Sequence, residues 1–273
     1  MDKITLNTTT FSDQLGLYDF FNVLIYGITF IGGLCVLNEN IYNFIWNNMS
    51  FQKGLGIVLL VYITGMILQE IGSIIDYRIT NIRRGMNRSI LKGDIDENNE
   101  KKRKKQIIRN PIVLQQYRNR ADKILGKHIP LENEERFNNE EYNGYVFSIC
   151  QYYVSVKEKD KKSEKLRALF SMSISLMCCF FLLFICALFS LWVKVDMSIK
   201  ICSHLGITGN SSFIDKIILM LSFLAAGFLF LFRAKRTMKN FLIILLGTYN
   251  AIIDAEENDK KQNIDINGQK QEL

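Results

Sequence analysis

Proline and histidine are scarce in this chain of 273 residues, which holds two of each. Pro111 and Pro130 both lie in the polar middle. No apolar stretch therefore carries the ring that removes a helical hydrogen bond and kinks a helix. Of the histidines, His128 beside Pro130 reads as a surface residue at a helix end, His204 suggests no specific metal site, and neither belongs to an H-E-x-x-H helix. The six cysteines contain no C-x-x-C pair, which argues against a zinc site or a disulfide framework. Cys35, Cys178, Cys179 and Cys186 instead sit in or beside apolar runs, where a thiol serves as a small apolar group. Also missing are the G-x-x-x-x-G-K-[ST] loop, the G-x-S-x-G elbow and a Gly-rich dinucleotide fingerprint. The chemistry that those motifs carry has no foothold here.

Charge is missing from four long runs, residues 20–37, 55–68, 168–193 and 217–232. At about 1.5 Å per residue, roughly 20 residues cross a hydrocarbon layer of about 30 Å. The third run is long enough by itself. The second needs Gln69 to Ile75 to stay helical, and the fourth needs Phe213 to Lys216 at the interface. The first run is not expected to be a cleaved signal, because Lys3 is the one basic residue before Tyr18 and no small-residue cleavage pattern follows Leu37. The expected fold class is all-α, an integral membrane protein with four transmembrane helices in two hairpins and a helical cytosolic module.

Residues 77–167 contain 22 Lys and Arg against 13 Asp and Glu, a surplus of nine that exceeds the +7 of the whole chain. The loops 38–54 and 194–212 carry almost no charge. Positive residues are retained on the cytoplasmic side, so the basic block and both termini are expected inside. Four segments follow: a first hairpin over 1–76, a basic cytosolic module over 77–166, a second hairpin over 167–236, and a cytosolic helix with a disordered tail over 237–273.

Within the module, Asn110 and Pro111 read as a helix cap and first helical residue, with Val113, Tyr117, Ala121 and Ile124 on one face. A second helix is expected from a cap at Asn133, with a stripe of Tyr142, Tyr145, Ile149, Tyr152 and Val156. Tyr142, Tyr145 and Tyr152 are candidates for binding a partner. The run Lys101, Lys102, Arg103, Lys104, Lys105 is either a solvated loop or a contact for anionic lipid. No aromatic residue interleaves it, which disfavours nucleic acid. The uncharged stretch 240–253 is too short for a straight span and reads as a separate buried or interfacial helix, and the chain from Glu256 onward reads as disordered.

The most informative polar residues lie in the second run. Gly65, Gln69, Gly72, Ser73 and Asp76 form one small and polar helical stripe, with Glu70 on its flank. Such a stripe packs helices closely or lines a pore. Asp19 and Asn22 at the start of the first run are possible counterparts, and Gly27, Thr29, Gly32 and Gly33 supply small residues there. No metal, cofactor or catalytic constellation is expected. Arg120 precedes His128 by seven intervening residues, close to but outside the R-x4-6-H spacing of HEPN ribonucleases, which resemble helical modules of this size, and a membrane-bound ribonuclease of that kind is a third reading. The paired glutamates of "NEERF" lie outside the apolar runs, which argues against an intramembrane CAAX-type protease.

The layout of two spans, a basic helical module, two spans and a further helix resembles the four-span pore-forming effectors of bacterial antiviral systems. That resemblance covers the arrangement of the whole chain and transfers no residue. It implies a non-enzymatic oligomeric effector of the bacterial inner membrane, in contact with lipids, that permeabilises the membrane when a cytosolic protein or nucleotide signal arrives. The alternative is a membrane-anchored sensor or scaffold that recruits a cytosolic partner.

Overall fold

The computed structural model describes residues 6–47, 50–92, 106–125, 137–157, 161–193 and 213–271. Among them every regular element is helical. In chain order these are α1 (Leu6–Leu37), α2 (Glu39–Trp46), α3 (Phe51–Ile75), α4 (Ile82–Asn87), α5 (Pro111–Leu125), α6 (Glu140–Val156), α7 (Lys161–Val193) and α8 (Phe213–Gln271). Four of them, α1, α3, α7 and α8, are long and apolar enough to cross a membrane. The stretch from Gln69 to Ile75 stays helical, which gives α3 the length that its apolar run alone lacks. A π-helical turn, Asp76–Thr80, extends it, and Asn81 then takes a left-handed conformation at φ 47°, which asparagine tolerates better than most residues.

The chain forms two compact units, Met1–Thr80 with Ala168–Lys235, and Asn81–Arg167 with Arg236–Leu273. In the first, α1 and α3 run antiparallel in very close contact. A Cβ placed on Gly27 would lie 1.9 Å from the Val61 carbonyl oxygen, and one on Gly65 would lie 1.9 Å from the Val23 carbonyl oxygen. Both helices thus repeat the same Val-x-x-x-Gly spacing, and each glycine admits the backbone of the other helix. Small residues that let backbones approach are the usual device where no water is available to drive helices together.

Gly72 of α3 meets Ser175 of α7, and Gly33 of α1 meets the Leu183 side chain. α7 is the most enclosed of the four, and Leu176, Cys179, Leu183 and Ala187 join Tyr26, Leu37, Leu68 and Phe223 in a core. Against α7 lies α8, with Phe181 facing Gly227 and the Phe180 ring stacked on Phe230 at 5.6 Å. α7 enters the unit at Ala168 and α8 leaves it at Lys235, so the two run antiparallel about that contact. The outward faces of α3, α7 and α8 remain apolar, as at Leu59, Ile63, Trp192 and Leu229.

The second unit has a mixed core. Ile90, Leu91, Leu114, Val154, Leu242 and Leu245 are buried to within 1% of full enclosure. Removing each such aliphatic side chain from water stabilises the unit by about 1.5–3 kcal/mol. Edge-on ring pairs Phe147–Phe241 and Tyr153–Tyr249 join α6 to α8.

Three expectations change. The fourth run and the stretch 240–253 belong to one helix, α8, rather than two. The intervening Arg233 to Lys239 contains no glycine or proline, and its Arg, Ala, Lys and Met residues favour continued helix. α8 continues as far as Gln271, so the residues from Glu256 to Gln271 are helical instead of irregular. Finally, α6 starts later than expected. Asn139 is its cap, its side chain accepting from the backbone of Glu141 and Tyr142, whereas Asn133 lies outside the described residues.

Candidate functional site

The polar stripe of α3 divides between two faces. Val61, Gly65, Leu68, Gly72 and Asp76 are buried and form the packing seam. The Asp76 carboxylate accepts a 2.7 Å hydrogen bond from the Thr80 hydroxyl across the π-helical turn. Gln69 is half-buried, whereas Ser73 and Glu70 are exposed. Glu70 follows Leu68 by two residues, which turns it about 200° away from the seam. It stands on the outer face of α3 with Ile63, Met66, Ile67 and Ile74, all of them exposed. Glu70 forms no hydrogen bond or ion pair with the described residues. Of the residues proposed at the start of α1, Asn22 is half-buried. The Asp19 side chain and Lys101 to Lys105 lie outside the described residues. Thr29 donates to the carbonyl of Ile25 in its own helix, and Gly32 faces open space.

The tyrosine stripe on α6 also divides. Tyr142 is buried, with its ring edge-on to Phe137, while Tyr145, Tyr152 and Val156 remain exposed. The buried face runs instead through Asn143, Val146, Phe147, Cys150 and Val154. Asn143 is fully enclosed and saturates its amide: Oδ1 accepts from the Leu91 N–H at 2.7 Å, and Nδ2 donates to the carbonyls of Phe137 and Asn139. The same Leu91 residue accepts at its carbonyl oxygen from Nε and Nη2 of Arg118, at 3.2 and 2.9 Å. Arg118 also lies over the Phe137 ring, 4.7 Å from its centroid. Two buried polar side chains from α5 and α6 therefore hold both backbone groups of one residue. Sequence reasoning passed over Asn143 and Arg118, since a helical wheel marks polar residues as outward. The apolar positions flanking each of them were the available signal.

A small cavity, about 20 Å³, opens between α5, α6 and α8, with Tyr117, Arg120, Cys150, Tyr249 and Asn250 among its walls. That is room for about one water molecule. Burial pushes the Tyr117 phenol up, against the opposing Asn250 hydrogen bond and the Arg120 charge. Burial also pushes the Cys150 thiol up to about 12, so it is protonated and unreactive at neutral pH. Arg120 donates to the Asn250 carbonyl at 2.8 Å and pairs with Asp254. Its guanidinium is thus engaged by α8, and His128 lies outside the described residues. Near the end of α6, Tyr153 donates to Glu256, and the Lys157 ammonium lies 2.6 Å from the same carboxylate. The Glu256 hydrogen bond and charge, together with burial, raise the Tyr153 phenol, and the Lys157 charge opposes them.

Among the described residues no three His, Cys, Asp or Glu side chains gather in a metal-binding group, and five cysteines are free thiols, four of them buried. Two features remain for function: an ionisable residue on the outer face of a long apolar helix, and an exposed tyrosine pair on a separate helical unit. Comparison with protein-family models, with curated proteins and with solved structures finds no match to this chain.

Proposed function

We propose that the chain is a non-enzymatic membrane effector, active as an oligomer, that permeabilises a bacterial inner membrane when its cytosolic helical unit receives a signal. One observation carries this reading. Glu70 sits exposed among apolar residues on the outer face of α3, a helix long enough to span, with no partner among the described residues. A carboxylate facing hydrocarbon is costly and is kept where it lines water or meets another helix. A packing-only helix would place its polar groups in the seam, as Asp76 is placed. The basic residues Arg78, Arg167, Arg233 and Lys235 near the ends of the apolar stretches support a cytosolic position for the second unit.

Inducing the chain in bacteria while following a membrane-potential dye tests this. Depolarisation is expected under the triggering condition, and Gln69→Leu with Glu70→Leu should change the response while leaving the protein in the membrane fraction. Unchanged polarisation under every trigger, with folding confirmed, overturns it. The exposed Tyr145, Tyr152 and Val156 favour a second reading, a membrane-anchored scaffold. It requires a stoichiometric protein partner whose capture is lost in Tyr152→Ala.

A further inference from the structure

We infer that copies of this chain join through a contact between Glu70 on α3 of one protomer and Arg233 on α8 of the next. This deepens the effector reading and rests on it. Both side chains belong to the first compact unit and are exposed, and neither makes a hydrogen bond or ion pair with the described residues.

Their depth along the helices is the second observation. Gly72 is level with Ser175, and Phe181 is level with Gly227. Ser175 lies six residues before Phe181 on α7, and Arg233 lies six residues after Gly227 on antiparallel α8. Arg233 therefore stands near the level of Ser175 and of Gly72. Glu70 is two residues from Gly72, about 3 Å along the axis. Two opposite charges thus occupy nearly one level on the outer faces of different helices. That level lies near the cytosolic ends of the apolar stretches, and each residue supplies the opposite charge that the other lacks.

The surroundings suit a helix-to-helix contact. Above Arg233 on its own face of α8 are Leu229, Ala225 and Ser222, all exposed. On α3 the face of Glu70 continues through Ile63 to Gly56, where an added Cβ would meet nothing within 4 Å. Small residues along these faces permit close approach. Because the two surfaces differ, the contact is head-to-tail, and repeating it by rotation closes a ring. The occupant of the α3 outer face is therefore the α8 outer face of a second copy.

Charge reversal in the full chain, reconstituted in lipid nanodiscs and sized by native mass spectrometry, tests the contact. Glu70→Arg or Arg233→Glu alone should lower the oligomer fraction roughly tenfold, and the double reversal should restore it. Should a single variant fail to fold, disulfide trapping tests the same contact. Glu70→Cys and Arg233→Cys are placed on separately tagged chains, co-expressed and oxidised in native membranes. A linked species carrying both tags, above that of either cysteine variant with the wild type, is expected. An oligomer that persists through both single reversals, or that yields no cross-tag species, overturns this interface and leaves the effector reading standing. A wild-type chain that stays monomeric under every trigger overturns this interface and the oligomeric effector reading together, whereas an oligomer that lacks this contact overturns the interface alone.

Discussion

The α1–α3 seam and the joint around Leu91 do the same task with opposite chemistry. In the seam, two glycines admit two carbonyl groups, with the Val61 and Val23 side chains alongside, and contact is made by close complementary shape. Around Leu91, Asn143 and Arg118 reach across with directed hydrogen bonds while aliphatic side chains close over them. On the membrane reading proposed above, the difference follows from the reference state. Apolar helices surrounded by apolar solvent gain little by hiding side chains from it, so dispersion and close approach must hold them. A core formed from water gains from burial, but each enclosed polar atom must find a partner. Shape tolerates no added atom, and hydrogen bonding tolerates no missing one.

The contrast breaks most sharply at the seam. Gly65→Leu or Gly27→Leu forces the backbones apart and should cost on the order of 4 kcal/mol or more in unfolding from bicelles. Gly32→Leu, where nothing lies within 4 Å, is the matched control and should change stability little. Next in size, Asn143→Ala strands the buried Leu91 N–H, while the Asn139 carbonyl keeps the backbone N–H of residue 143, a loss of about 2–3 kcal/mol by denaturant titration. Combining it with Arg118→Met should give less than the sum, because both act on the backbone of one residue.

Alkali sharpens the difference between the units. Cys150 ionises near 9 when unfolded but only at about 12 in the fold. Its stabilisation is complete below pH 9 and is lost as pH rises toward 12, a loss that Cys150→Ala should reduce. Peptide mapping after maleimide treatment at neutral pH should find Cys150 unmodified until denaturant is added. Smaller still, Asn139→Ala removes the α6 cap and should cost about 1 kcal/mol. The Arg88–Glu140 pair, 3.4 Å apart and largely exposed on Glu140, should contribute at most about 0.5 kcal/mol in a double-mutant cycle.

Local features were legible in the sequence. The four apolar helices follow from uncharged length. α5 begins at Pro111 as expected, with Asn110 Oδ1 accepting from the Ile112 N–H at 3.0 Å, because a cap is decided by neighbouring residues. Features that depend on distant partners were harder to read. Arg233 to Lys239 looks like a boundary when charge is the criterion, yet nothing in it ends a helix. On α6 the tyrosines read as one partner-binding stripe, but a tyrosine suits a surface as well as a core, and Tyr142 joins the buried face of Asn143 and Cys150 while Tyr145 and Tyr152 stay exposed. In α3 the wheel grouped Gly65, Gln69, Gly72, Ser73 and Asp76 as one stripe, of which Gly65, Gly72 and Asp76 are buried, Gln69 is half-buried and Ser73 is exposed. It set Glu70 only on the flank, and the packing of α1 and α7 is what leaves that carboxylate on the far side.

The paired glycines also have a genetic meaning. Any missense change at either codon introduces a Cβ, and the opposing carbonyl oxygen stands 1.9 Å from that position. In a saturation library selected for retained activity, both positions should be emptied of every alternative, alanine included. Gly32, Gly54 and Gly56, with open space around them, should accept many. Two helix-packing positions would then show the intolerance usually read as the mark of an active site, and only the fold explains that intolerance by backbone contact.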